Sequence, residues 1–504
     1  MTKLLVIGID SVDAVLLDRF QEDLPTWSKL KNECPRIKFT GVNPPDSPTS
    51  WASIFTGLNP AKHGVLEFID PLEKTTMSVT KEITNDTIRG RTFWDFAGDQ
   101  GGKKVCVILP PLGFPIWPVN GMMVARASSS DDAAIYPPDA VDVLDGRDLT
   151  NLKGVIGRSP QTFIDMGRSL VQRELEFSLE MMKSQDWDLF YTYSSVLDPM
   201  QHGFWSDFDE QDPAHNPKSQ YKNVIKEFYQ IFDDVVAQYL AHVDEDTTVV
   251  VLSDHGHCMR PVELLNINEL LRREGHLVLR TGSGKLLVQG LEKLKRRVLD
   301  LVVRFGLGNL AIRVMRAVPG SKSIYTKPAN IDFEKTVAYL SDLSGIKSYS
   351  YGGIKVEKAK IGNDERYEEI RSGIISALQD IEDQATGEKY MKWICRREDL
   401  YEGEYQSRYP QIVFRLNDQY GAGWEIDGKI HSQSRSHNIQ PGSHNEQTPV
   451  IFFRNLRGFK VTRHDMTLMD VAPTILQILG LEENVAAFDG SSILSPLAGN
   501  QGRS

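Results

Sequence analysis

Hydrophobic positions in the first half of the chain fall into short β-branched or aromatic runs that alternate with longer amphipathic stretches. Four of these runs predict buried strands, namely Leu4–Ile9, Val105–Leu109, Leu189–Ser194 and Thr247–Leu252. Strands that alternate with crossover helices are typical of a parallel sheet with helices on both faces. We therefore predict an α/β fold with a doubly wound, mostly parallel central sheet.

The pattern changes near residue 265, where an inserted lobe is expected because a chain of 504 residues exceeds the roughly 250–300 residues of a single core. Ile267–Arg273 predicts a short helix, with Asn266 as its N-cap and Glu269 completing a capping box. Further elements are predicted at Val337–Leu340, Tyr367–Ile381, Ile412–Arg415, Pro449–Phe453 and Thr467–Leu479. We assign residues 1–265 and 430–504 to the core and 266–429 to a cap lobe.

Within this lobe, Leu291–Val318 carries apolar residues at helical spacing. Residues 291–317 hold seven basic side chains against two acidic ones. The favoured interpretation is a pair of cap helices with a solvated basic face. The alternative is a surface that attracts a polyanionic substrate or makes peripheral contact with anionic lipid.

Composition and charge narrow the class of protein. Hydrophobic residues make up 40% and charged residues 25%, as in an ordinary globular protein, and the net charge of −11 argues against nonspecific nucleic-acid binding. Four cysteines without metal-ligand spacing indicate no disulfide framework. The absence of a leader pattern and of a long apolar run predicts a soluble cytoplasmic protein. No pattern indicates an oligomeric state.

Acidic and histidine residues follow the predicted strands. Asp10, Asp254 and His255 come directly after two of them, while Asp198 and His202, four residues apart on one helical face, follow a third. Ligands gather beyond the carboxyl ends of parallel strands, so these distant residues are expected to converge. Carboxylates and neutral imidazoles are common Zn²⁺ ligands, and a two-metal hydrolytic site is the leading hypothesis.

A sixth ligand is expected from the last part of the chain. His444 precedes a predicted strand, where a loop can bring its ring over the edge of the sheet. His437 and His464 are rivals for this role, and spacing alone does not choose among the three.

A nucleophile is expected within residues 43–57, a loop rich in hydroxyl groups that runs into a helix. A hydroxyl is a poor nucleophile at its own pKa, but a bound metal stabilises its alkoxide. The start of the helix also attracts an incoming phosphate. In isolation, the same segment fits an ordinary N-cap loop.

Taken together, these motifs resemble the alkaline phosphatase superfamily, and within it the type I phosphodiesterase/nucleotide pyrophosphatase family. The likeness is carried by residues 6–10, 47–64, 198–202 and 253–256. The resemblance implies that the nucleophile stands nine residues before Thr56, at Ser47, with Thr49 as the fallback. It also implies two divalent ions, Zn²⁺ or alternatively Mn²⁺, one held by Asp10, Asp254 and His255 and the other by Asp198, His202 and His444.

The family resemblance implies a phosphodiesterase or nucleotide pyrophosphatase that acts on a small-molecule phosphate ester or diester through a covalent phosphoseryl intermediate. The alternatives are a phosphomonoesterase, a phosphoryl-transferring mutase and a non-catalytic binding protein on the same fold. A sulfatase is disfavoured because Thr49 and Trp51 occupy the positions of its required Pro and Arg.

Near the nucleophile, Pro48 lacks an N–H group that could bind the phosphate. The charge on the phosphate must then be met by the metals, by later backbone groups or by side chains such as Asn43, our candidate substrate-binding residue. We interpret His63 as structural and His257 as part of the pocket wall.

Overall fold

The computed structural model describes residues 3–66, 85–127, 132–152, 159–280, 331–341, 349–423, 425–426, 428–434, 437–438, 440–481 and 487–497. Its strands are β1 (Leu4–Ile9), β2 (Lys38–Thr40), β3 (Val105–Ile108), β4 (Gly121–Arg126), β5 (Ala133–Tyr136), β6 (Leu189–Ser194), β7 (Thr248–Leu252), β8 (Gly256–Met259), β9 (Glu263–Asn266), β10 (Ala338–Ser341), β11 (Tyr351–Val356), β12 (Met391–Arg396), β13 (Ile412–Leu416), β14 (Tyr420–Gly423), β15 (His431–Gln433), β16 (Gly442–Asn445), β17 (Ile451–Arg454), β18 (Phe459–Val461), β19 (Asp465–Thr467) and β20 (Leu494–Pro496).

The α-helices of the described residues are α1 (Ala14–Arg19), α2 (Pro25–Glu33), α3 (Ser47–Thr56), α4 (Pro60–His63), α5 (Phe93–Asp99), α6 (Pro160–Ser184), α7 (Leu197–Phe208), α8 (Val224–Ala241), α9 (Ile267–Arg273), α10 (Lys358–Ile361), α11 (Asp364–Gln379), α12 (Arg397–Leu400) and α13 (Val471–Ile478). Short 3₁₀ turns span Gln21–Asp23, Pro138–Leu144, Gln406–Arg408 and Leu468–Asp470. Within this part of the chain, no helix is both long and apolar enough to cross a membrane.

The central sheet has seven strands in the order β17-β7-β1-β6-β3-β4-β5. Its five inner strands are parallel, and the edge strands β17 and β5 are antiparallel. Alternate residues of β1 enter opposite cores: Leu5 and Ile7 pack on one side, while Leu4 and Val6 pack on the other. The predicted mostly parallel sheet covered on both faces is confirmed.

The predicted strands Leu4–Ile9 and Leu189–Ser194 have the bounds that the structure shows, and β3 and β7 differ from prediction by one residue. The last sheet strand begins at Ile451, two residues later than predicted. The predicted helix Thr467–Leu479 is wrong at its start, because Thr467 ends β19 and caps a 3₁₀ turn. The Asp470 carboxylate accepts from the Thr467 N–H at 2.7 Å, so the regular helix begins only at Val471.

Much of the described part of 266–429 forms a four-stranded antiparallel sheet, β10-β11-β13-β12, against which α11 packs. Leu340, Ile354, Ile374 and Phe414 are buried in a core that includes this sheet and helix. The strand at 338 and helix α11 lie within a few residues of their predicted bounds. The basic stretch Leu291–Val318 lies outside the described residues.

The helix Ile267–Arg273 is confirmed, but its predicted capping box is wrong. The Asn266 side chain donates to the Lys429 carbonyl at 3.1 Å and accepts from Ser432 Oγ at 3.0 Å. Glu269 instead accepts hydrogen bonds from two arginines one turn later in the helix. Asn266 ends β9, which lies between its paired strands β14 and β15. Its side chain therefore bonds to the segment that contains β15 and does not cap the helix.

A buried ion pair joins the four-stranded sheet to the core. Arg415 Nε and Nη2 donate to Glu446 Oε1 and Oε2 at 3.0 and 3.1 Å, and the residues are 2% and 3% exposed. Burial alone would raise the pKa of Glu446, but the charge and hydrogen bonds of Arg415 hold the pKa below its ordinary value of 4.5. The pair therefore stabilises the fold at neutral pH, and this contribution is lost as the pH falls through the lowered pKa of Glu446.

Glu446→Gln is expected to lower the free energy of unfolding by about 2 kcal/mol at pH 7, because it removes the buried anion of Arg415 and leaves this guanidinium only the exposed Asp418 carboxylate, 2.7 Å from Nη2. Urea denaturation measures the change, with the exposed Glu334→Gln as the matched control. The difference in free energy of unfolding between variant and wild type should shrink below pH 4.5, because Glu446 then takes up a proton when the protein unfolds. Equal stability of the two variants at pH 7 would contradict a stabilising role for the pair.

Candidate metal centre and nucleophile

Asp10, Asp254 and His255 meet at the carboxyl ends of the adjacent strands β1 and β7. His255 Nε2 lies 3.5 Å from Asp10 Oδ1 and 3.4 Å from Asp254 Oδ2. The chain turns sharply after Asp10, where Ser11 has a φ of 67° and its N–H donates to Asp254 Oδ1 at 3.2 Å. The ligand atoms of the three residues lie within 4.8 Å of one another, close enough to share one ion.

Asp198, His202 and His444 form a second group. Asp198 Oδ1 lies 3.4 Å from His202 Nε2 and 3.5 Å from His444 Nε2, and the two nitrogens are 2.9 Å apart. The Nδ1 atoms face backbone carbonyls, His202 that of Gly442 and His444 that of Pro45, each at 2.9 Å. These carbonyls favour a proton on each Nδ1, which leaves the Nε2 lone pairs directed towards Asp198.

Close approach of helix α7 to strand β16 brings this second group together. The helix begins at Leu197 and places Asp198 and His202 one turn apart, as predicted. At Gly442 an added Cβ would lie only 2.4 Å from His257 Nε2 and 2.5 Å from the Gln201 carbonyl. Glycine there lets β16 approach the helix, and so places His444 beside His202.

The two groups form one cluster. The rings of His255 and His444 stack with their centroids 3.9 Å apart. Ligand atoms of Asp198, His255 and His444 also lie within 4.8 Å of one another. All six residues that the sequence analysis selected are therefore brought to one place.

Ser47 faces this cluster from the first residue of α3. Its Oγ lies 3.1 Å from His255 Nε2 and donates to Asp10 Oδ1 at 3.3 Å. Thr49, the fallback nucleophile, is fully buried, and its Oγ1 makes no hydrogen bond with any described residue. The geometry thus distinguishes Ser47 from Thr49.

The rival histidines lie elsewhere. His437 is buried between Asp212 Oδ1 and the Arg260 carbonyl, 2.9 Å from each. His464 has its Nδ1 2.8 Å from the carbonyl of Arg36, and it belongs to neither group of described residues whose ligand atoms lie within 4.8 Å of one another. Their positions leave His444 as the histidine that the fold delivers to Asp198.

Two further histidines near the motifs have packing partners. His63 Nε2 lies 3.0 Å from Ser53 Oγ, and burial lowers the pKa of His63 to about 3, so the ring is neutral at physiological pH. His257 Nδ1 lies 2.8 Å from Ser11 Oγ, and its ring lies beside that of Trp205. His257 thus borders the cluster.

The electrostatics of the cluster suit divalent cations. Burial, with the charges of Asp254 and Asp198, raises the pKa of Asp10 well above its usual value, and burial raises the pKa of Asp254 to about 8. Burial lowers the pKa values of His202 and His255. Moreover, the buried Asp254 Oδ2 makes no hydrogen bond with a described residue. A bound cation would stabilise the crowded carboxylates in their anionic form, and it would accept the lone pairs of the neutral imidazoles.

Sequence reasoning missed the residues that hold the cluster together. The buried Asp13 carboxylate accepts hydrogen bonds from the N–H of His257 at 3.0 Å and from the Thr448 hydroxyl, besides capping α1. It thereby ties the turn after Asp10 to the turn after His255. The Tyr193 hydroxyl donates to Asp10 Oδ2. An N-cap at Asp13 is visible in the sequence, but its long-range partners are not.

The candidate substrate-binding residue Asn43 lies in the loop that precedes α3. Its backbone N–H and carbonyl are hydrogen-bonded to two tyrosine hydroxyls from 401–409. Its buried Oδ1 makes no hydrogen bond with a described residue. The role of this side chain in substrate binding stays a prediction.

Comparison with known proteins gives the following matches. The family model described as type I phosphodiesterase / nucleotide pyrophosphatase matches residues 4–443. The phosphonoacetate hydrolase of Sinorhizobium meliloti 1021, solved with phosphonoformate, has a TM-score of 0.53 at 14% identity and covers 96% of each chain. Murine ectonucleotide pyrophosphatase / phosphodiesterase 5, solved in an inactive form with AMP, has a TM-score of 0.50 at 12% identity, and the match covers 98% of this chain and 100% of the murine chain. Among curated proteins none matches this sequence.

Proposed function

The chain belongs to the type I phosphodiesterase / nucleotide pyrophosphatase family of phosphoric ester hydrolases, and from this premise we propose a metal-dependent diesterase or pyrophosphatase that forms a covalent intermediate on Ser47. The single observation that carries the proposal is the position of Ser47 Oγ, 3.1 Å from His255 Nε2 and 3.3 Å from Asp10 Oδ1. A nucleophilic hydroxyl there lies against the ligand group of Asp10, Asp254 and His255.

In this proposal, six residues hold two divalent ions. Asp10, Asp254 and His255 hold the ion nearer Ser47, and Asp198, His202 and His444 hold the other. When bound, such ions lower the pKa of a coordinated hydroxyl and neutralise charge on the reacting phosphoryl group. We favour Zn²⁺, with Mn²⁺ as the alternative, because carboxylate and imidazole ligands suit both.

The reaction is a double displacement at phosphorus. Ser47 Oγ forms a bond to phosphorus as the bond to the leaving oxygen breaks, and the departing group takes up a proton. Water then attacks the phosphoseryl group, which releases the phosphorylated product and restores the Ser47 hydroxyl. The N-terminal end of α3 contributes positive potential to the phosphate, although Pro48 supplies no N–H.

We expect the purified enzyme to hydrolyse bis(4-nitrophenyl) phosphate with a kcat/KM at least about tenfold above that for 4-nitrophenyl phosphate, a difference of about 1.4 kcal/mol. A chelator should abolish both activities, and added Zn²⁺ or Mn²⁺ should restore them, because the ligand cluster holds the ions reversibly. Preference for the monoester would favour a phosphomonoesterase. Failure to hydrolyse either ester or a nucleotide pyrophosphate with metal bound would favour a binding protein.

We also propose that the protein works in the cytoplasm. Support comes from the cysteines Cys34, Cys106, Cys258 and Cys395, all of which are free thiols. Disulfides are scarce in a reducing compartment. Fractionation of the source cells, followed by immunodetection, should place the protein with a cytosolic marker; recovery from the secreted fraction would contradict this location.

A further inference from the structure

We propose that Tyr401 and Tyr409 are positioning residues: their hydroxyl groups hold the loop before the nucleophile in the orientation that turnover requires. The inference rests on the proposed role of Ser47. Both tyrosines come from the region between β12 and β13, outside the strands and helices that carry the six candidate ligands. We call these two hydroxyl groups the hydroxyl clasp.

The clasp holds both backbone polar groups of a single residue. The Asn43 N–H donates to Tyr401 Oη at 3.1 Å, and Tyr409 Oη donates to the Asn43 carbonyl at 3.0 Å. Asn43 lies four residues before Ser47, so the clasp fixes the start of the loop that leads into Ser47. Over 350 residues separate each tyrosine from Asn43 along the chain.

Side chains are needed here because the loop has few backbone donors of its own. Residues 44, 45 and 48 are prolines and have no N–H group. The loop is instead held from outside: Pro45 O lies 2.9 Å from His444 Nδ1, and Asp46 Oδ1 accepts from Tyr351 Oη at 3.3 Å. Together with the clasp, these contacts restrain three of the four residues that lead into Ser47.

The clasp is itself rigidly supported. The Tyr401 and Tyr409 rings lie 6.0 Å apart, in a small apolar cluster with Ala61 and Val413. The backbone of the same segment docks beside α4, where the Tyr405 N–H donates to the Ala61 carbonyl at 2.7 Å. The two hydroxyls therefore have fixed positions relative to the helices that follow Ser47.

A loop released from the clasp would let Ser47 Oγ move relative to the ligand cluster. A misplacement of about 1 Å can cost about a hundredfold in rate, so loss of part of this restraint should lower kcat. The candidate metal ligands come from β1, β7, α7 and β16 or from residues next to them, so the metal content should not change. Loss of rate without loss of metal is the signature of positioning.

The test compares Tyr401→Phe, Tyr409→Phe and the double variant with Tyr405→Phe as control. Tyr405 is on the same segment, and within the described residues its hydroxyl makes no hydrogen bond. In the full-length, zinc-loaded enzyme, each single variant should lose about fivefold in kcat for bis(4-nitrophenyl) phosphate, and the double variant more than about twentyfold. KM, bound zinc and the control's kcat should match wild type.

Wild-type kcat in the double variant would overturn the clasp while leaving the proposed function intact, provided that Ser47→Ala is inactive in the same assay. A loss of kcat that parallels a loss of zinc would also overturn it, since the tyrosines would then support metal binding. Turnover by Ser47→Ala would instead overturn the proposed function. Circular dichroism at the assay temperature checks that the variants are folded, and each substitution removes only one oxygen atom.

Discussion

Ser47→Ala is expected to lose at least about a thousandfold in turnover of bis(4-nitrophenyl) phosphate while it keeps its metal ions. The substitution removes the oxygen that would bond to phosphorus, and its methyl side chain still fits at the start of α3. Our six candidate metal ligands do not include Ser47. Steady-state kinetics together with elemental analysis of the same preparation measure both quantities.

Thr49→Ala is the matched control, because it removes a hydroxyl two residues away that makes no hydrogen bond with a described residue. Its turnover should stay within a few fold of wild type. If Ser47→Ala were active and Thr49→Ala were inactive, the nucleophile would be Thr49. The start of α3 would then have to rearrange, since Thr49 is fully buried in this structure.

His444→Ala is expected to lose one of two bound ions and at least about a hundredfold in turnover. Its Nε2 lies 3.5 Å from Asp198 Oδ1 and 2.9 Å from His202 Nε2, so it closes the second ligand group. Loss of a partner that only orients a metal ligand costs about 10–100-fold, and loss of a ligand should cost at least as much. Zinc titration of the metal-free protein by calorimetry measures the remaining sites.

His464→Ala provides the comparison, because the sequence alone could not separate this histidine from His444. The structure places it at the carbonyl of Arg36, outside the cluster, and we expect two ions and wild-type turnover. Retention of both ions at full affinity by His444→Ala would remove this residue from the site. The second group of ligands would then need a different third member.

The sequence was sufficient to predict five of the seven strands of the central sheet, because these strands are strongly hydrophobic, and β4 and β5 were missed. Asp10 and Asp254 follow adjacent parallel strands, and parallel strands align their carboxyl ends along one edge of the sheet. This reasoning requires no knowledge of long-range contacts. The bounds of the predicted strands were correct to within two residues because these strands are strongly hydrophobic.

The choice of His444 depends on long-range packing that no local pattern reveals. Strand β16 pairs with β8 and approaches α7 closely enough that position 442 has no space for a side chain. A glycine two residues before a histidine is too common to indicate such a contact. Of the arguments from sequence, only the resemblance to a family selects His444.

Local signals failed where tertiary partners compete for the same groups. Asn266 stands before a helix, as an N-cap does, yet its side chain binds the strand alongside β9. Tyr401 and Tyr409 have no local pattern to distinguish them from other tyrosines, and their contact with Asn43 spans most of the chain. Residues that position a site are therefore harder to predict than residues that form it.

Anomalous diffraction from a crystal of the zinc-loaded protein tests the central claim most directly. We expect two peaks roughly 4 Å apart, one bound by Asp10, Asp254 and His255 next to Ser47 Oγ, the other by Asp198, His202 and His444. A single ion elsewhere, or two ions that these residues do not bind, would contradict the account.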